Sequence, residues 1–192
     1  MEERIDIVND RDRVIGQAPR AEAHARGLKH RAIHVLVFDV HGNLFVQKRA
    51  DTKDTFPERY DSSASGHLDQ GEDYDACAAR ELHEELGLSV APRELRKLFK
   101  ITACAQTGWE FVWVYRLQGD YQPRINPAEL AAGAFWPVAR IMGAVAANPE
   151  TFTPSFIRVV AFGQNAGDAD RMAHSPGASC ANTWLATDAI SA

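Results

Sequence analysis

A chain of 192 residues with 45% hydrophobic content is enough for one domain with a real core. Its formal charge of −5, with no concentrated basic face, argues against a nucleic-acid backbone as the main partner, and no apolar run approaches the roughly 18 residues of a membrane span. Three cysteines (Cys77, Cys104, Cys180) without a CxxC pair suggest neither a disulfide framework nor a zinc site, and together with a charged N-terminus they point to the cytoplasm.

Residues 4–19 read as a strand, a reversal at Asn9-Asp10-Arg11-Asp12 and a second strand from Val14 to Gln17. With a short helix over residues 20–26, closed by Gly27, this makes an N-terminal hairpin unit of residues 1–28. Ala32 to Phe38 is β-rich and can be buried on both faces, which predicts a central strand. His41-Gly42-Asn43 then turns the chain into Leu44 to Arg49, so residues 32–49 are expected to pair as two adjacent strands. After a polar loop over residues 50–59, a short strand from Tyr60 to Ser65 leads into Gly66. A helix of about Tyr74 to Leu86 is bounded by Asp73 as its cap, Asp75 in its first turn and Gly87 at its end. Strands follow at Leu95 to Cys104, Glu110 to Leu117 and near Gly133 to Trp136, with helices at Pro137 to Ala147 and Pro154 to Phe162. The interleaving indicates an α+β or α/β sandwich, a core of residues 29–163 in a single domain of residues 1–163. Residues 164–192 lose all period and read as a disordered tail.

Residues 66–88 hold seven carboxylates (Asp69, Glu72, Asp73, Asp75, Glu81, Glu84, Glu85) and one arginine, Arg80. On a helix Glu81, Glu84 and Glu85 fall within one narrow sector, while Ala78, Ala79, Leu82 and Leu86 fill another. Like charges three or four residues apart repel by about 0.2–0.5 kcal/mol per pair. Such a face calls for a compensating cation, and hard oxygen ligands suit Mg²⁺ or Mn²⁺. On composition alone, a solvated Glu-rich face is the other reading.

The spacing of Gly66, Glu72 and then Arg80-Glu81-Leu82-x-Glu84-Glu85-x-Gly87-Leu88 resembles the Nudix box at every defined position. The resemblance implies the Nudix fold, a mixed β-sheet between helices (an α/β/α sandwich) over about residues 32–162. It also implies a loop-helix-loop that holds Mg²⁺ or Mn²⁺ against a small-molecule diphosphate, in a monomer or homodimer. Glu81 and Glu85, one turn apart, become metal ligands with Glu84 as a third, and Glu84 and Glu85 are counted as catalytic. The backbone carbonyl beside Gly66 completes the set. Arg80 and Glu72 form an ion pair that fixes the motif, which Gly87 closes. The water-activating base lies outside the box in this family, and Glu110, then Glu129, are the nominations.

The flanks resemble the isopentenyl-diphosphate isomerase branch of the superfamily, through Lys29-His30-Arg31-Ala32, the run from Val46 to Pro57, and Ser65-Gly66-His67. In that branch the residues matching His30 and His67 bind a metal, and those matching Arg49 and Lys53 contact the diphosphate. Read from chemistry alone, Arg49 and Lys53 suit a bridging phosphate, though they are equally ordinary surface cations, and a histidine beside a strand is often structural. Three departures count against isomerase chemistry. Ser65 stands where those enzymes place a catalytic cysteine, Gly108 where they place a metal-binding glutamate, and no tyrosine lies between Lys100 and Gly108. Glu81, which the isomerase box commonly lacks, is present. The expected activity is therefore metal-dependent water attack on a phosphorus of a nucleoside diphosphate derivative or related organic diphosphate. Isopentenyl-diphosphate isomerisation and non-catalytic nucleotide binding remain the alternatives, and Trp109, Phe111 and Trp113 either stack a base or pack a core.

Overall fold

The computed structural model describes residues 3–165. Along β3 (His30–Phe38), Ile33, Val35 and Val37 enter one core while Ala32 and Leu36 enter another, as a strand buried on both faces requires. β8 (Glu110–Gln118) runs parallel to β3 along its whole length, and β7 (Arg96–Ile101) pairs antiparallel with β8. On the other edge of β3, β6 (Ala64–His67) pairs antiparallel with Ala32 to Val35.

β4 (Leu44–Arg49) pairs antiparallel with β3, as expected of residues 32–49, but only at its start. It meets β3 through Phe38 opposite Leu44 and then diverges to pair with β5 (Tyr60–Asp61) and β9 (Leu130–Trp136). The reason is spatial, because β6 already occupies the edge of β3 that a hairpin partner would need. The result is a seven-stranded mixed sheet.

α2 (Tyr74–Leu86) covers one face with Cys77, Ala78, Leu82 and Leu86, each fully buried. α3 (Val138–Ala147) and α4 (Pro154–Asn165) cover the other with Ile141, Phe156 and Val159. This is the α/β/α sandwich that the sequence predicts. Phe111 is buried beside Val8 and Ala103 and Trp113 packs on the α2 core, so both pack; Trp109 leans on Gly27, where a Cβ would lie 2.7 Å from its Nε1. The region expected as a tail starts inside α4, which continues to Asn165, and from 166 onward it lies outside the described residues. Among the described residues no helix is long and apolar enough to cross a membrane.

The N-terminal hairpin, β1 (Arg4–Val8) and β2 (Val14–Pro19), forms its own two-stranded sheet and runs straight into α1 (Arg20–Arg26). Its turn residue Asp12 accepts hydrogen bonds from Arg31 Nε at 2.6 Å and Tyr74 OH at 2.9 Å, and also pairs with Lys100. One carboxylate thereby ties the hairpin to β3, α2 and β7.

Candidate active site

Both ends of α2 are fixed as the sequence predicts. Asp73 Oδ1 accepts from the backbone N–H of Asp75 and Ala76, each at 2.9 Å, and Gly87 adopts φ 64° to end the helix. Between them Arg80 gathers the carboxylates. Its Nε donates to Glu72 Oε1 at 2.9 Å and its Nη2 to Glu72 Oε2 at 2.8 Å, a bidentate pair. Its Nη1 reaches Glu81 Oε1 at 2.8 Å and Glu84 Oε2 at 3.0 Å, and Nη2 also donates to the carbonyl of His67 at 3.0 Å. Glu72 in turn accepts from the N–H of Asp69 at 3.0 Å, which closes the loop ahead of the helix.

The backbone of Gly66 lies directly against Glu81. A Cβ there would sit 1.9 Å from Glu81 Oε1, so the carboxylate occupies space that only glycine leaves free. Glu85 is almost completely buried, and its Oε2 accepts from the N–H of Ser65 at 3.1 Å and from Gln47 Nε2 at 3.4 Å. Burial pushes the Glu81 carboxyl up to about 7, with Glu84 adding to the rise against the pull of Arg80. Burial and then the neighbouring Glu81 likewise raise Glu85 well above the ordinary carboxylate range. Glu84 is half exposed. Two buried carboxylates one turn apart, each disfavoured as an anion, form a set of hard oxygens that a divalent cation would neutralise.

Beside this face lies a second cluster. The ligand-capable atoms of His24 (α1), His30 (β3), His67 (β6) and Glu110 (β8) all lie within 4.8 Å of one another. His67 Nε2 is 3.0 Å and His30 Nε2 3.6 Å from Glu110 Oε1. Burial alone would raise the Glu110 carboxyl, but the two imidazoles overcome it and hold it well below the usual range. His24 is lowered to about 4 by burial and then by His67 and His30. His30 Nδ1 lies 2.7 Å from the carbonyl of Leu28, and neither His30 Nε2 nor His24 Nε2 has a hydrogen-bond partner within 3.5 Å although both atoms are buried. Three imidazoles beside one carboxylate suit the borderline cation Zn²⁺, and also the harder Mn²⁺ through the carboxylate. Arg20 Nε donates to His67 Nδ1 at 3.2 Å, which leaves the His67 proton on Nε2, so a cation there requires Arg20 to let go.

Glu81, Glu84, Glu85, Gly66, His67 and Glu110 all line one cleft of about 1210 Å³, larger than the roughly 300–1,000 Å³ of most ligand pockets. Arg49, Lys53 and Glu129 line it as well, Lys53 paired with Glu129 and Arg49 3.9 Å from Asp61. The sequence reading missed His24, Arg20, His34 and Arg158, which share this cleft. His30 and His67 are named by the isomerase resemblance; His24 comes from a third element, so no spacing ties it to them, and its place in the short helix just ahead of His30 was the one available signal.

The family model described as NUDIX domain matches residues 28–156. The chain belongs to the Nudix family. Among curated Nudix relatives, an uncharacterised Nudix hydrolase of Streptomyces coelicolor is 41% identical over 144 residues, covering 74% of this chain and 78% of the relative. An isopentenyl-diphosphate Δ-isomerase of Nocardia farcinica is 34% identical over 162 residues, covering 81% and 91%. Among solved Nudix structures, DR0079 from Deinococcus radiodurans superposes with a TM-score of 0.73 at 29% identity, covering 83% of this chain and 98% of that one. Its place among Nudix hydrolases makes this chain an enzyme of that kind.

Proposed function

We propose that the chain hydrolyses a diphosphate linkage in a nucleoside diphosphate derivative or related organic diphosphate, using Mg²⁺ or Mn²⁺. The observation that carries this reading is the pair of buried carboxylates, Glu81 and Glu85, each raised above its ordinary pKa and set against the backbone of Gly66 and Ser65. Glu81 and Glu85 would hold the cation, with Glu84 and the backbone beside Gly66 completing the set, and Arg80 and Glu72 keep these side chains in position. When bound, the metal supplies charge neutralisation for the diphosphate and makes water a stronger acid. Arg49 and Lys53, at the rim of the loop over residues 50–59, bind phosphate oxygens once released from Asp61 and Glu129. Glu110 is the nominated acceptor for a proton of the attacking water, although the pull of His30 and His67 that keeps it an anion also makes it a weak base. In the other role open to it, Glu110 would join His24, His30 and His67 in holding a second cation.

That second cluster, with the Nocardia farcinica relative, favours isopentenyl-diphosphate isomerisation as the other reading. Ser65 separates the two. Its N–H is engaged by Glu85, and direct attack by water gives its hydroxyl no part. A metal-supplemented screen of nucleoside diphosphates, sugar nucleotides, coenzyme A and isoprenoid diphosphates should identify a substrate, on which Glu85→Gln lowers turnover by about a hundredfold or more, about 3 kcal/mol of transition-state stabilisation. Ser65→Ala should then remain near wild-type. A folded, metal-binding Ser65→Ala that is as inactive as Glu85→Gln overturns the hydrolase reading in favour of proton transfer.

A further inference from the structure

Five basic side chains line the cleft: Arg20, Arg49, Lys53, Arg80 and Arg158. Four have carboxylate neighbours. Arg20 lies 3.7 Å from Glu3, Arg49 3.9 Å from Asp61, Lys53 pairs with Glu129, and Arg80 holds Glu72, Glu81 and Glu84. Arg158 has none within 4.0 Å among the described residues, and its Nε–H is buried without a hydrogen-bond partner. The residue is partly exposed, so its guanidinium meets solvent or a ligand of the cleft rather than a carboxylate.

The packing keeps Arg158 where it is. It lies between Phe156 and Val159 on α4, whose side chains are locked into the core on the sheet face opposite α2. Arg158 lines a small cavity with His34, Thr107, Glu110 and Ser155, four residues that also line the cleft. The one carboxylate among these, Glu110, is engaged by His67 and His30. The cleft therefore presents carboxylates for cations from α2 and one uncommitted guanidinium from α4.

We propose that Arg158 is a substrate-binding residue that takes a phosphate-type oxyanion of the substrate. This rests on the diphosphate reading of the cleft and adds a residue from the opposite wall. The planar fork of arginine matches the oxygens of a phosphoryl group bidentately, and no carboxylate of the described residues lies within 4.0 Å to compete for it. Two sources carry this chemistry, the diphosphate itself or a separate phosphomonoester on the organic group.

The test uses the full chain with Mg²⁺ and two non-hydrolysable probes titrated calorimetrically: methylenediphosphonate, and a methylenediphosphonate ester whose organic group bears a phosphomonoester. Arg158→Gln should weaken binding of at least one probe tenfold or more, and Arg158→Lys, which keeps charge and stem but not the fork, should recover part of the loss. Weakening of both probes assigns Arg158 to the diphosphate; weakening of the second alone assigns it to a separate phosphate. Dissociation constants within twofold of wild-type for both probes overturn the proposal. Should Arg158→Gln melt early, Arg158→Lys carries the test, with at least threefold weakening expected and an unchanged constant overturning the role. Glu85→Gln reports separately on the diphosphate reading. Loss of probe binding there with none at Arg158 sinks only the role of Arg158, whereas a wild-type chain that binds neither probe with Mg²⁺ sinks both.

Discussion

Gly66 shows how one absent side chain shapes a site. Its place against Glu81 means that Gly66→Ala must drive the carboxylate away, since a Cβ and Glu81 Oε1 would be 1.9 Å apart. The displaced group is the far end of a flexible side chain, so the fold should survive. The expected outcome is a melting temperature within a few degrees of wild-type and a divalent-cation affinity weaker by about 10–100-fold, the range seen when the support of a ligand is lost. Unchanged Mg²⁺ binding by calorimetry would show that Glu81 is not a ligand. Residues 66–88 were legible in the sequence because the chemistry there is local: the i,i+4 spacing of Glu81 and Glu85 and the glycine ahead of the helix lie within one continuous stretch. His24 and Arg158 were not, because their neighbours come from other elements. Arg158 looks like any basic residue on an amphipathic helix until α4 is docked.

At the scale of the element, α2 carries its acidic face at a cost that pH can reveal. Burial raises the folded-state pKa of Glu81 to about 7 and of Glu85 well above the ordinary 4.5, so the folded chain holds more protons on them than the unfolded chain does, and stability falls as pH rises through these values. His24, lowered from 6.5 to about 4 mainly by burial, and His34, lowered by burial, work in the opposite sense up to about pH 6.5. Between about pH 6.5 and 8 that opposition fades as the unfolded histidines finish titrating, while the two glutamates still lose protons in the folded chain. In chelator the wild-type melting temperature should decline across this window, and Glu85→Gln should decline less. Added Mg²⁺ should stabilise more at pH 8 than at pH 6.5, because it binds the ionised pair. A chelated wild-type curve that rises over the window contradicts the burial argument. The helix itself was legible from Asp73, its apolar stripe and Gly87. How briefly β4 stays with β3 was not, since the His41-Gly42-Asn43 turn announces a hairpin and nothing local reveals that β6 takes Ala32 to Val35 on that edge.

For the whole molecule, the question is how the N-terminal hairpin comes to supply ligands to a cleft built by the sheet. β1 and β2 pair only with each other as a sheet, yet α1 follows β2 without a break and carries Arg20 and His24 into the cleft. Asp12 is the polar tie, with Arg31, Tyr74 and Lys100 converging on one carboxylate whose side chain is 13% exposed. Asp12 also has φ 55°, a conformation that asparagine tolerates, so Asp12→Asn removes the charge without straining the turn. Two cations would then face a neutral amide. The cost should lie between that of an exposed and a fully buried ion pair, about 2–3 kcal/mol, read by urea denaturation. A loosened hairpin should also carry His24 away from His30 and His67. Binding of Mn²⁺ or Zn²⁺ at that cluster should therefore weaken while Mg²⁺ binding at Glu81 and Glu85 holds. If Asp12→Asn costs the expected stability but leaves both cation affinities unchanged, His24 is held by its own packing, and the hairpin serves stability alone.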